Sequence, residues 1–170
     1  MLTRTAAALA VALNAHLLLA QTPHQTSALR GLRAVHVTVN FQAALAAYAG
    51  AVDTSFLRRQ VELEVGQTGI AMIGPGTNAP QLSLSVTVLS RPESGCRPDS
   101  VLHWYTYRLE LRQWAQITQR PPAFVWATTW GQGGVGFSHG SHIGSEIMLS
   151  AHQLMQTFVN EFRADNPARE

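Results

Sequence analysis

The chain has 170 residues, of which 46% are hydrophobic and 13% are charged, and its formal net charge is +2. This composition predicts one globular domain and excludes both an intrinsically disordered chain and a fibrous repeat. All the basic residues are arginines, and they are scattered along the sequence. The clustered positive charge of a nucleic-acid-binding surface is therefore lacking, and no nucleic acid is expected as a partner.

The first twenty residues have the order of a secretory signal peptide. Arg4 gives a positively charged start, an apolar run follows, and Ala20 is a small residue suited to cleavage. The apolar run is shorter than the about 20 residues that span a bilayer, so no transmembrane segment is expected in the mature chain. A bacterial lipoprotein would carry its lipidated cysteine where this chain has Gln21, so lipidation is not predicted. We expect a periplasmic or secreted protein, with a retained N-terminal anchor as the alternative.

The remaining residues are predicted to form one domain behind a short leader. The stretch after the cleavage point is polar and contains proline, which is typical of a flexible segment. No internal repeat or second core is visible in the hydrophobic pattern. The expected organisation is a signal peptide at residues 1–20, a flexible leader at 21–31, a single domain at 32–167 and a tail at 168–170.

The domain is predicted to open with a strand and a helix. Alternating apolar residues predict a strand from Arg33 to Phe41. Asp53 or Thr54 is suited to cap the following helix, whose apolar residues recur every four positions up to about Gln67. Gly69 then supplies the left-handed residue that ends it.

Four further strands and a second helix complete the pattern. The glycine-rich stretch at residues 131–136 is expected to break regular structure, and Pro167 is expected to end the helix. The predicted strands are Ile70–Ile73, Leu82–Val88, Val101–Ile117 and Phe124–Trp130, and the helix carries Ile143, Ile147, Ala151, Leu154, Phe158 and Phe162. Two faces are assigned by alternation: a core-facing set of His103, Tyr105, Tyr107, Leu109 and Leu111, and a shared face of Phe124, Trp126, Thr128 and Trp130.

The order β-α-β-β-β-β-α predicts an α+β fold. Amphipathic helices and alternating strands each have an apolar side that must be covered. A two-layer sandwich covers all of them, with two helices on one face of a mostly antiparallel sheet of four to five strands.

This pattern resembles small envelope domains of bacteria. The residues that carry the resemblance are Leu57-Arg58-Arg59-Gln60-Val61-Glu62, the strand opening Gly69-Ile70, and the closing helix Phe158-Val159-Asn160-Glu161-Phe162 that ends at Asn166-Pro167. Over about residues 32–167 the chain is similar in general plan to the lipopolysaccharide-assembly lipoprotein and to TolB amino-terminal-type domains. The resemblance implies a periplasmic or envelope-associated protein that binds or scaffolds something and is not an enzyme, and it transfers no functional residue.

A cluster of two histidines and a glutamate is the candidate metal site. If the last helix begins near Ser141, His142 and Glu146 lie one turn apart on one face, and His139 reaches back from the glycine-rich loop. Imidazoles and a carboxylate suit a transition metal such as zinc, copper or nickel. The same composition is also typical of a solvated loop and helix cap, and that interpretation stays open.

Exposed aromatic residues are the candidate partner-binding site. Tryptophans occur in both long strands, so some of them must face away from the helices. Trp104 and Trp114 on the open face, with Arg112 beside them, would form a platform for a lipid, a glycan or a partner protein. In the alternative interpretation, a long loop or the N-terminal leader covers that face.

Two weaker features complete the candidates. Cys96 is the single cysteine and lies beside Arg97 in a polar loop, which permits an intermolecular disulfide. Ser138, His139 and Asp53 are residue types of a hydrolase triad, although the nucleophile-elbow motif is lacking.

The function expected from the sequence is that of an exported, non-enzymatic binding or scaffold domain. Its partner is expected to be an envelope protein or a lipid or glycan component. A metal-binding protein is the second hypothesis and a small hydrolase the third, and no cofactor is expected apart from the transition metal of the second hypothesis.

Overall fold

The computed structural model describes residues 26–44, 52–76, 78–91, 101–118 and 120–167. The elements follow the predicted order and are preceded by a 3-10 turn at Thr26–Leu29, with a second such turn at Gly140–His142 before the last helix. They are β1 (Ala34–Ala43), α1 (Thr54–Gly66), β2 (Ala71–Met72), β3 (Gln81–Arg91), β4 (Leu102–Ile117), β5 (Ala123–His139) and α2 (Ile143–Asp165).

The strands form one five-stranded sheet in the order β2-β1-β3-β4-β5. β1 runs parallel to both β2 and β3, whereas β3, β4 and β5 form an antiparallel meander. The predicted α+β class and the two-layer arrangement are confirmed. The sheet is mixed because α1 carries the chain back to the end of the sheet at which β1 starts. β2 and then β3 therefore run in the same direction as β1.

The core lies between the sheet and the two helices. The predicted helix stripes and the core-facing set of β4 are confirmed, although Tyr107 is only partly buried. Trp130 and Phe158 pack edge to face, with ring centroids 5.2 Å apart, and Trp130 Nε1 donates to Glu161 Oε2 at 2.6 Å. Inward-facing strand residues include Val35, Val37, Leu82, Leu84, Val86, Val88, Leu109 and Leu111.

Local signals fix the start and the end of α1. Asp53 is the N-cap, and its Oδ1 accepts from the backbone N–H groups of Ser55 at 2.9 Å and Phe56 at 3.0 Å. Gly69 has φ +84°, a conformation that glycine adopts without strain. The predicted cap and stop are both confirmed.

β5 departs from the sequence prediction in two respects. The glycine-rich residues 131–136 do not break regular structure, because they continue β5 to His139 in register with β4. A bulge at Thr129 also shifts the register, so that Leu111 faces Trp130 and Arg112 faces Thr128. An extra residue reverses the alternation of side chains beyond it. Trp130 is therefore buried in the core, and the prediction that it shares a face with Trp126 is wrong.

Residues 26–31, the described part of the predicted leader at 21–31, pack against the domain. Leu29 is fully buried in the core, and the turn that carries it is tied to the end of α2 by Asn166. The Asn166 side chain donates to the carbonyl of Leu29 and accepts from the N–H of Gly31 at 2.7 Å, and it also donates to the carbonyl of Phe162. Residues 26–31 therefore pack with the domain, whereas the predicted signal peptide at residues 1–20 lies outside the described residues.

Replacing Asn166 tests this tie. Asn166→Ala removes three hydrogen bonds and leaves the Leu29 carbonyl without its side-chain donor, so we expect a loss of about 1–3 kcal/mol in the free energy of unfolding. Chemical denaturation measures the loss. Asn160→Ala is the matched control, because Asn160 is exposed on the same helix; equal stability of the two variants would contradict the assigned role.

Candidate functional site

The helix-free face of the sheet carries a row of exposed aromatic side chains. Both helices pack on the other face, so the outward residues of β4 and β5 meet no element of the described chain. Exposed contiguous apolar side chains are uncommon on monomeric soluble proteins and mark interaction sites. Two groups stand out, one near the start of β4 and one near its end.

The first group, here called the Trp104 patch, consists of Leu89, Trp104, Val135 and Phe137. Leu89, Trp104 and Phe137 are directly opposite one another on three adjacent strands. The rings of Trp104 and Phe137 are 6.1 Å apart between centroids. Trp104 remains 49% exposed and Phe137 65% exposed, so the contact between the rings covers only part of their surface.

The second group, here called the Trp114 patch, consists of Trp114, Phe124 and Trp126. Trp114 is opposite Trp126, and their rings meet edge to face at 5.6 Å. Such cross-strand aromatic pairs stabilise a hairpin. Trp114 is nevertheless 52% exposed and Phe124 67% exposed.

The Trp114 patch lies on an arm that extends beyond the core. None of the described residues between Arg112 and Thr129 is buried, although they continue the two-stranded ladder of β4 and β5. On its inward side the arm contacts the 3-10 turn at Thr26–Leu29, because Gln113 Nε2 donates to the carbonyl of Ala28 at 3.2 Å. The arm thus presents its tryptophans away from the body of the domain.

Charged side chains separate the two patches. Arg108 Nε lies 2.8 Å from Glu110 Oε1, and Arg112 is exposed without an ion-pair partner among the described residues. Trp104 and Trp114 are ten residues apart on one strand, which corresponds to about 33 Å. The face therefore offers two aromatic contacts at the ends of an extended surface with cations between them.

The glycines of β5 leave room for tyrosines on the inward side of the sheet. A Cβ on Gly136 would lie 2.3–2.7 Å from atoms of the Tyr105 ring, and a Cβ on Gly134 would meet Tyr107 in the same way. Tyr105 is buried, and its hydroxyl lies 3.1 Å from Ser150 Oγ on α2. The glycines are therefore needed for the packing of β4 against α2.

Alanine at Gly136 tests this packing. Gly136→Ala forces the Tyr105 ring out of its place, so we expect a loss of about 1–3 kcal/mol in the free energy of unfolding, measured by denaturant titration. Gly131→Ala is the control, because a Cβ there meets its nearest neighbour at 3.5 Å. Unchanged stability of Gly136→Ala would show that the Tyr105 ring adopts another rotamer without cost, and it would contradict the role assigned to Gly136.

The structure does not bring the three predicted metal ligands together. His139 is the last residue of β5, His142 lies in the 3-10 turn and Glu146 lies in the first turn of α2, and all three are exposed. Because β5 continues to His139, alternation directs this side chain to the same face as Phe137, opposite the helices. Among the described residues, no three His, Cys, Asp or Glu side chains are close enough to hold a metal ion.

The remaining candidates separate in a similar way. Asp53 serves as the cap of α1, whereas Ser138 is buried near the end of β5, opposite His103. Of the predicted triad residues, Ser138 and His139 are thus adjacent on β5 with side chains on opposite faces, whereas Asp53 belongs to the start of α1. Cys96 and Arg97 lie outside the described residues.

His103 is a buried histidine that sequence reasoning assigned only to the core. Its Nδ1 lies 2.7 Å from Ser90 Oγ, and its side chain has no solvent exposure. Burial lowers the pKa of His103 below 6.5, and the neighbouring His139 lowers it further. The alternation of β4 is the sequence signal for this group, because it places an ionisable side chain at a core position.

This pKa direction predicts a loss of stability in mild acid. The unfolded chain takes up a proton at His103 near pH 6.5, whereas the folded chain does so only at lower pH, so stability falls as the pH drops below about 6.5. Each unit of pKa difference corresponds to about 1.4 kcal/mol. We expect His103→Gln to lose less stability than the natural chain between about pH 7.5 and pH 5. Parallel denaturation profiles across that range would contradict this.

Comparisons with known proteins show a likeness in fold only. No protein-family model matches the chain, and no curated protein matches it. A minor lipoprotein from Acinetobacter baumannii is a similar solved structure, with 11% identity and a TM-score of 0.40, over 80% of this chain and 94% of that one. The PelC dodecamer from Paraburkholderia phytofirmans has 18% identity and a TM-score of 0.36, over 78% of this chain and 89% of that one. Scores this low carry no argument about function.

No helix within the described part of the chain is long and apolar enough to cross a membrane.

Proposed function

We propose that the chain is an exported, non-enzymatic binding or scaffold domain that contacts another envelope component through the helix-free face of its sheet. The observation that carries the proposal is the exposure of Trp104 and Trp114 on that face. Burying large aromatic side chains against a partner supplies much of the energy of typical interfaces, in which tryptophan and arginine are enriched at the centres. Arg112 lies beside Trp114 on the same face, so this end of the face combines both of these residue types.

The shape of the surface supports an extended partner. The two patches are separated by about 33 Å along β4, which is more than one small molecule covers. Between them lie the ion pair of Arg108 with Glu110 and the exposed Arg112. An envelope protein, a glycan chain or a lipid surface would span both patches.

The export part of the proposal rests on residues 1–20. Their charged start, apolar run and small residue at Ala20 have the order of a signal peptide. Mass spectrometry of the chain recovered from its host tests cleavage, and a mature N-terminus at Gln21 is expected.

Truncating the tryptophans tests the binding face. We expect Trp104→Ser together with Trp114→Ser to weaken recovery of the partner from cross-linked envelope fractions, with a loss of about 2 kcal/mol or more in binding, about thirty-fold. Leu149→Ser is the matched control, because Leu149 is similarly exposed but lies on α2 in the helix layer. The control is expected to recover as much partner as the natural chain.

Tryptophan emission distinguishes the classes of partner. Burial of Trp104 and Trp114 shifts the emission of the purified chain to shorter wavelength when the binding component is added, as isolated envelope protein, glycan or lipid vesicles. A natural chain recovered alone from cross-linked envelopes, with an emission that no envelope component changes, would contradict the proposal.

A further inference from the structure

The outer edge of β5 is a long strand edge that no described element covers. β5 stands at the end of the sheet order and pairs with β4 alone. The backbone groups that point outward along it have no partner strand in the described part of the chain. A row of such groups is a template for pairing with another extended chain.

The two edges of the sheet differ in how well they are protected. β2 forms the opposite edge with two residues and is followed closely by Pro75, and short strands and proline both hinder edge pairing. β5 has 17 residues, and it contains neither proline nor any arginine, aspartate or glutamate. On β5 such protection is therefore limited to the bulge at Thr129.

The regular part of the unprotected edge lies beyond the bulge. We call Gly131–His139 the edge segment. Four of its nine residues are glycines, so few side chains flank an approaching strand on either face, and an open depression of about 550 Å³ lies over residues 106–108 of β4 and residues 131–135 of β5. Val135 is 68% exposed on this segment, although valine is typical of paired strands.

We propose that the edge segment pairs antiparallel with the edge segment of a second copy of this chain, giving a two-fold symmetric dimer with one continuous ten-stranded sheet. The segment contains no lysine, arginine, aspartate or glutamate, so pairing two copies places none of these like-charged side chains opposite each other. Pairing with β2 of another copy is limited to two residues. Self-pairing of β5 therefore uses the long edge of both copies. It leaves no free β5 edge for a third copy, so the assembly stops at a dimer.

The symmetry fixes how the two copies face. A two-fold axis perpendicular to the sheet keeps both helix layers on one side and both helix-free faces on the other. Val135 and Phe137 then lie at the junction on the helix-free side. Phe137 of one copy packs over glycines of the other, a contact that compensates for missing side chains in designed sheets.

Charged substitutions on the edge segment test the dimer. Light scattering coupled to size exclusion is expected to give the natural chain twice the mass of one chain. Val135→Arg and Phe137→Arg place like charges at the junction and are expected to halve that mass, with circular dichroism spectra unchanged. Thr106→Arg is the matched control, because Thr106 is exposed on the same face one strand inward, and it is expected to remain a dimer.

Disulfide trapping gives a second, independent measurement. In a Cys96→Ser background, Val135→Cys and Phe137→Cys each place one cysteine on the edge segment. Residues opposite each other in antiparallel strands are close enough for a disulfide, so mild oxidation is expected to link the copies at one of these positions. Thr106→Cys is expected to remain unlinked.

Two results would overturn the dimer. One is a natural chain with the mass of a single copy over a wide concentration series. The other is trapping at Val135→Cys and Phe137→Cys no stronger than at Thr106→Cys. Both experiments use the purified chain without any envelope component, so their outcome is separate from that of the proposed binding function.

Discussion

Both helices pack on one face of a single sheet, and the exposed aromatic surface follows from that constraint. A sheet in a two-layer fold has one side against the core and one side that other elements of the domain leave uncovered. Here β4 and β5 also continue past the core, since none of the described residues from Arg112 to Thr129 is buried. The tryptophans on this arm are held by each other and by the ladder, so their exposure belongs to the fold itself.

One inserted residue decides which tryptophans join the core. The bulge at Thr129 turns Trp130 inward, where it contacts Phe158 and Glu161. Without it, strict alternation would place Trp130 on the open side with Trp126. The same residue divides β5 into an aromatic arm, which carries the Trp114 patch, and a glycine-rich edge segment, which carries the proposed dimer contact and contributes Val135 and Phe137 to the Trp104 patch.

Much of the fold could be predicted from local signals. The alternation of β3 and β4, the four-residue spacing in α1 and the cap at Asp53 each depend on nearby residues, and the structure confirms them. The bulge could not be predicted, because it depends on how Trp130 packs against α2. The sequence predicts a break at residues 131–136 because glycine disfavours strands in general, whereas in the structure Tyr105 and Tyr107 fill the space that the glycines leave. The buried Glu64 contacts the half-exposed His152, with 3.0 Å between Oε1 and Nδ1. This contact joins α1 and α2 through residues 88 positions apart and has no local signal.

The tie between Asn166 and the turn at Leu29 and Gly31 bears on the order in which this protein is made. It connects residues 135 positions apart, so the two boundaries of the domain meet at one corner. Because synthesis proceeds from the amino terminus, Leu29 leaves the ribosome long before Asn166 does. The core therefore stays open at that corner until Asn166 has emerged, and in the interval the carbonyl of Leu29 lacks its side-chain donor.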